Sequence, residues 1–247
     1  MLDAAFWGLI QGLTEFLPIS SSGHLVLVPA ILDREGPDLA TSAVLHLGTL
    51  AAVLAYFRAE VGQVVRLTVE GRRLLLLLAV GTIPAAVLGL LFEESLDEIN
   101  DTPRAVAVAL AAAGVALILT SRLTQRDRGV EEVGVRDSTL IGLGQALALI
   151  PGVTRSGMTI GAGIGRGLSR VEAARFSFLL GIPAIAGAGL LQLIDLARSD
   201  EGLPADVWIG VAVAAVSGYA AIAALLRLIR SVGLAPFGIY CVAAGVI

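Results

Sequence analysis

The chain has 247 residues, 56% of them hydrophobic and only 15% charged, with a mean hydropathy of +0.87, whereas a soluble domain carries about 25% charged residues. Composition therefore excludes an ordinary soluble domain and points to a polytopic membrane protein. A net charge of −4 argues against a nucleic-acid partner, and the single Cys241 excludes an internal disulfide.

In chain order, no basic stretch precedes the first apolar segment, so a cleavable signal peptide is not expected. Ala4–Leu32 is apolar at both ends but carries Gln11, Glu15, Pro18 and the run Ser20, Ser21, Ser22 at its middle. Leu39–Phe57, Leu74–Phe92 and Ala105–Ser121 follow as uncharged windows long enough, or nearly so, to cross about 30 Å of hydrocarbon. Ser138–Gly165 again has a polar centre, with Gln145, Pro151, Thr154, Arg155 and Ser156. Three more windows close the chain: Phe176–Ile194, Val207–Leu226 and Ser231–Ile247. A proline-broken polar centre cannot face lipid with unsatisfied backbone; it must be buried in protein or line a watery cavity. The two interrupted segments are therefore expected to be re-entrant helix pairs whose tips meet.

The segments also repeat. "GLIQGLTEFLPISSSG" (Gly8–Gly23) lies over "GLGQALALIPGVTRSG" (Gly142–Gly157), and "LHLGTLAAVLAYF" (Leu45–Phe57) answers "FLLGIPAIAGAGL" (Phe178–Leu190). Each half then holds one re-entrant pair and three spans, and an odd number of spans inverts the second copy. The expected fold is a single all-α integral membrane domain with six transmembrane helices, its repeat halves at about 1–122 and 137–247. Alternating the spans places Arg58, Arg66, Arg72, Arg73, Arg122, Arg126, Arg128, Arg136, Arg166, Arg170, Arg175, Arg227 and Arg230 on one side, against Arg34, Arg104 and Arg198 on the other. By the positive-inside rule the first side is cytoplasmic and both termini are outside.

Arg155 belongs to neither set and sits at a re-entrant tip. An arginine at membrane depth is expensive and marks a functional site by default. It has two readings: an ion pair with Glu15, and an anion cradle with Thr154, Ser156, Thr159 and the N–H groups of a half-helix start. In the other tip, Gln11 and Glu15 are four apart on one helix face. His24 follows Ser21 by three residues, and a serine within reach of an imidazole is the arrangement of an activated nucleophile. Capping of the half-helix accounts for one of the serines. His46, in the middle of a span, reads first as a buried histidine satisfied by a neighbouring helix, and second as support for the cavity.

Three stretches, "QGLTEFLPISSSGHL" (Gln11–Leu25), "PGVTRSGMT" (Pro151–Thr159) and "GLSRVEAARFSFLLGIP" (Gly167–Pro183), resemble the undecaprenyl-diphosphate phosphatases, also called bacitracin-resistance proteins, and the resemblance covers essentially the whole chain. The family's first motif begins (E/Q)xxxE; the Gln11 form leaves Glu15 as its one carboxylate. Ser22 stands where many members have Thr, and Thr154 where Ser is common.

The resemblance implies hydrolysis of a C55 polyprenyl diphosphate to the monophosphate and inorganic phosphate. That reaction regenerates the lipid carrier of cell-wall glycans at the plasma membrane, and the family confers bacitracin resistance. A divalent cation, Mg²⁺ or Ca²⁺, is implied, with Glu15 and Gln11 as its candidate ligands. Arg155, Thr154, Ser156 and Thr159 would hold the diphosphate, with Ser20, Ser22 and Gln11 as further contacts. Ser21 is the first candidate nucleophile with His24 as its base; attack by His24 itself or by water stays open. Small residues at Gly187, Ala188 and Gly189 are expected to admit the isoprenoid tail. The family also suggests a homodimer. The rival reading is a polyprenyl-phosphate flippase, which needs the anion cradle but no activated serine and histidine.

Overall fold

A computed structural model describes residues 1–37, 39–123, 126–198 and 206–246. Among them the chain is helical, without a β-strand; a lone parallel bridge joins Arg128 and Leu168. The helices are α1 (Leu2–Phe16), α2 (Ser21–Leu32), α3 (Leu39–Tyr56), α4 (Arg58–Val65), α5 (Val69–Leu91), α6 (Glu93–Asn100), α7 (Pro103–Thr120), α8 (Val135–Leu147), α9 (Arg155–Gly165), α10 (Arg170–Arg198), α11 (Val207–Val232) and α12 (Ala235–Ala244).

Both interrupted segments break where expected. α1 stops at Phe16 before Pro18, and α8 stops at Leu147 before Pro151. The two second half-helices start on the same device. The Ser20 hydroxyl accepts from the Gly23 N–H at 3.2 Å, and the Thr154 hydroxyl accepts from the Gly157 N–H at 3.2 Å, each satisfying a donor that a helix start leaves open.

The span count differs from expectation. α5, α7, α10 and α11 are long and apolar enough to cross a membrane among the described residues, and a fifth span is added if α3 and α4, bent by 85°, are taken together. The sixth window, Ser231–Ile247, does not form one helix. α11 absorbs its first two residues, Gly233 turns the chain at φ 65°, and Pro236 sits in the first turn of α12. Ten residues rise only about 15 Å, half a bilayer.

Packing couples the two halves. α1 lies against α11, α8 against α5, α3 against both α10 and α11, and α12 against α7. Glycine permits the closest crossings. A Cβ on Gly8 would meet the Gly210 carbonyl oxygen of α11 at 2.2 Å, and one on Gly142 would meet the Gly81 carbonyl oxygen of α5 at 2.2 Å. In lipid, where apolar side chains gain nothing by leaving solvent, such close backbone contact drives helix association.

At the base of the α8–α9 pair, the Arg-rich stretch does more than mark a side. Asp137 accepts from Arg128 at 2.9 Å, from Arg166 at 2.7 Å and from the Gly134 N–H at 3.2 Å. Burial opposes its charge, but these donors outweigh burial and hold the Asp137 carboxyl at about 2.

Two outcomes are expected. Gly8→Ala lowers stability in detergent by about 1–3 kcal/mol, since rigid backbone must move, while Gly62→Ala, with nothing within 4 Å of the new Cβ, is neutral or gains up to about 1 kcal/mol. Asp137→Asn removes stability that wild type holds in full above its unfolded carboxyl value of 3.8 and loses as pH falls through about 2. Denaturation midpoints followed from pH 6 downward should therefore converge only at the acid end.

Candidate functional site

The two tips meet. The Gly152 N–H of the second tip donates to Ser22 Oγ of the first at 3.3 Å, and Ser156 Oγ donates to the Leu17 carbonyl at 3.1 Å. Beside these contacts, Arg155 Nη2 donates to Glu15 Oε1 at 2.7 Å. Both side chains are largely buried, so either charge alone there would be costly. The other carboxylate oxygen, Oε2, accepts from Ser21 Oγ at 2.7 Å and from Gln11 Nε2 at 3.2 Å. One carboxylate thus gathers the amide, the serine and the arginine.

Two polar atoms in this group have no hydrogen-bond partner among the described residues although they are buried: Gln11 Oε1 and Arg155 Nη1. One is an acceptor suited to a cation, the other a charged donor suited to a phosphate oxygen. The guanidinium lies close against α10, where a Cβ on Gly181 would meet Nη1 at 2.1 Å.

The serine–histidine pair expected from spacing is not formed. Ser20, not Ser21, is the cap of α2, and its positive φ of 69° sends the next residue toward α1. Ser21 therefore bonds Glu15. The His24 ring bonds the Ser20 carbonyl through Nδ1 at 2.7 Å and Tyr240 Oη through Nε2 at 2.6 Å. The hydroxyls also divide differently. Thr154 caps α9, Ser156 ties the tips, and Thr159 is fully buried against Ser177, with 2.5 Å between the hydroxyls. Ser20 and Ser22 are likewise engaged by Gly23 and Gly152. This leaves Ser21 and Arg155 as the half-buried groups facing each other across Glu15.

Sequence reasoning underweighted His46. Its Nδ1 is 2.8 Å from the Ser42 carbonyl, and its Nε2 lies 4.0 Å from Glu15 Oε2, so it is α3, not α2, that brings an imidazole to the carboxylate. Gly181, Ser177 and Tyr240 were not singled out at all. The repeat carried a usable signal for His46 and Gly181: "LHLGTL" and "FLLGIP" are its matched spans, and they place His46 beside Glu15 and Gly181 beside Arg155.

Metal donors are few. No group of three His, Cys, Asp or Glu is gathered among the described residues, but the unpartnered Gln11 carbonyl beside Glu15 suits an ion that takes one or two protein oxygens and completes its shell from water and phosphate. At Gly187 and Gly189 no neighbour comes close: a Cβ on Gly187 would have nothing within 4 Å, and one on Gly189 would meet Leu47 at 3.9 Å. An apolar cavity of about 780 Å³ lies instead between α5, α6, α7, α8 and α9, lined by Phe92, Leu96, Leu147, Ile150 and Met158 and reaching Gly157 next to the second tip.

Residues 4–247 match the family model described as bacitracin resistance protein BacA. The chain is 42% identical to an undecaprenyl-diphosphatase of Thermomicrobium roseum, covering 99% of this chain and 95% of that protein. It is 42% identical to the undecaprenyl-diphosphatase of Trichlorobacter lovleyi over 100% and 95% of the two chains, and 41% identical to that of Geobacter sulfurreducens over 99% and 96%.

Glu15→Gln strands the buried Arg155 charge and is expected to cost about 3–5 kcal/mol. The double change Glu15→Gln with Arg155→Met should regain most of that loss in a denaturation series. Equal stability of wild type and Glu15→Gln would mean the pair does not hold the tips together.

Proposed function

The chain belongs to the bacitracin resistance protein BacA family, and we infer from that membership and from the paired tips that it hydrolyses undecaprenyl diphosphate to the monophosphate and inorganic phosphate. The observation that carries the chemistry is the Glu15 carboxylate, which holds Arg155 on one oxygen and the Ser21 hydroxyl on the other.

In this reading Arg155 Nη1 and the N–H groups at the start of α9 receive the terminal phosphate, where developing negative charge is met by fixed donors. Ser21 Oγ attacks that phosphorus while its proton passes to Glu15 Oε2. The bond from phosphorus to the bridging oxygen breaks, and the prenyl monophosphate leaves with the electron pair. Water then attacks the phosphorus, the bond from phosphorus to Ser21 Oγ breaks, Oγ takes back the proton held by Glu15, and inorganic phosphate leaves with the water's oxygen and protons. Glu15 takes the role of base that spacing had assigned to His24, because the carboxylate is at hydrogen-bond distance from the hydroxyl. Gln11 and Glu15 would hold the Mg²⁺ or Ca²⁺, which when bound adds positive charge beside the phosphoryl group. The prenyl tail would lie in the apolar cavity that reaches Gly157.

The arginine distribution supports cytoplasmic loops at 58–73 and 122–136 and an external N-terminus, while the failure of α12 to cross removes the basis for an external C-terminus. On that topology the first tip enters from outside and the second from the cytoplasm. The reciprocal packing of α1 with α11 and of α8 with α5 supports an inverted repeat. Recycling the carrier lipid for cell-wall glycan synthesis is the physiological task that goes with this reaction.

Phosphate release from undecaprenyl diphosphate, measured on the purified protein in detergent with Mg²⁺, tests the reading. Wild type should release phosphate in a chelator-sensitive way. Arg155→Ala and Ser21→Ala, each checked for folding, should each lose at least about 100-fold. Release unchanged in Arg155→Ala would sink the assignment of the site.

A further inference from the structure

The His24 ring has no nitrogen to spare. A carbonyl oxygen can only accept, so the 2.7 Å contact with the Ser20 carbonyl fixes the proton on Nδ1. In the neutral ring Nε2 then presents a lone pair, and Tyr240 donates its hydroxyl to it at 2.6 Å. The two rings also stack, with centroids 5.6 Å apart and planes within 2°. One residue on, the Cys241 thiol reaches the Pro18 carbonyl at 3.6 Å. α12, an uncharged helix too short to cross a bilayer, thus grips the first tip on both sides of Ser20.

Ser20 needs that grip. It holds φ 69°, ψ 105°, a conformation that L-residues seldom adopt and that costs on the order of 1–3 kcal/mol, kept only where neighbours over-determine it. Its carbonyl accepts from the His24 ring and from the His24 N–H at 3.2 Å, and its hydroxyl accepts from the Gly23 N–H. Two of these three bonds are ordinary features of a helix start. The ring is the added one, and Tyr240 is what orients the ring. The residue after Ser20 is Ser21, so the Ser20 backbone aims the hydroxyl that meets Glu15.

We propose that Tyr240 is a positioning residue for the phosphatase reaction, holding the Ser21 hydroxyl on Glu15 by way of the His24 ring and the strained Ser20 turn. The inference rests on the phosphatase reading. It assigns His24 an orienting task, and it makes the C-terminal helix a third part of the centre, beside the two tips.

Tyr240→Phe keeps the ring and the stack and deletes only the hydroxyl. In the full-length protein in detergent, kcat for phosphate release should fall about 10-fold, the scale of one lost hydrogen bond, with KM held within about twofold. The chain has two histidines, so ¹⁵N-histidine labelling with a His46→Gln spectrum for assignment reads His24 directly. Wild type should show Nδ1 protonated and Nε2 as a hydrogen-bonded acceptor, and Tyr240→Phe should lose the second signature. His24→Asn and the double variant should have equal kcat, because Tyr240 acts only through His24. Wild-type kcat in Tyr240→Phe, additive losses in the double variant, or a wild-type His24 protonated on Nε2 would each overturn the proposal. A wild-type protein that releases no phosphate would instead remove the phosphatase reading, and the tautomer spectra would still judge the Tyr240–His24 bond.

Discussion

A carboxylate and a guanidinium 2.7 Å apart, buried between two broken helices, are the constraint on which the molecule turns. Either charge alone at that depth would remove a large share of a typical protein's margin of stability. Together they are tolerable only if the tips of α1–α2 and α8–α9 stay in register to within a hydrogen bond. The fold supplies that register through the Gly152–Ser22 and Ser156–Leu17 contacts, so backbone left open by one break is satisfied by the other. Breaking the helices creates the need, and meeting tip to tip answers it.

Everything outside the tips holds them at a fixed separation. α1 is pressed to α11 and α8 to α5 at glycine contacts that leave no room for a side chain. Since lipid contributes no apolar driving force between helices, this geometry has to come from backbone proximity and from polar ties. The Asp137 cluster provides such a tie at the other end of the second pair, joining the entry of α8 to the exit of α9 through Arg128 and Arg166.

Much of this was legible in the residues. Pro18 and Pro151 mark the breaks, Ser20 and Thr154 occupy matched positions before Gly23 and Gly157, and Arg155 stands out as the one arginine outside both loop sets. Those signals are local, and local rules recover them. The partner of Ser21 was not local. An i, i+3 spacing puts Ser21 and His24 on one side of α2 but does not say what each meets there: Ser21 finds Glu15 of α1, and His24 finds Tyr240 of α12. The sixth span failed for a different reason: hydropathy averages across Gly233 and Pro236, but a helix does not. His46 and Tyr240 lie on helices whose periodicity is uniformly apolar, so nothing in the pattern distinguished the face that meets the tips.

The matched positions of the two tips also explain how one scaffold yields an asymmetric centre. The alignment that pairs Ser20 with Thr154 also pairs Ser21 with Arg155, Glu15 with Leu149 and His24 with Met158. The capping hydroxyl is kept in both copies because both half-helices need it. The next position is free of that duty, and there the copies part: one carries a hydroxyl, the other a permanent cation. The second copy carries no acid at this position, and Leu149 lines the apolar cavity close to Gly89. Leucine there leaves Glu15 as the sole acid between Ser21 and Arg155. Proton acceptance is thereby concentrated on one tip and positive charge on the other, the arrangement that the proposed attack on the terminal phosphorus requires.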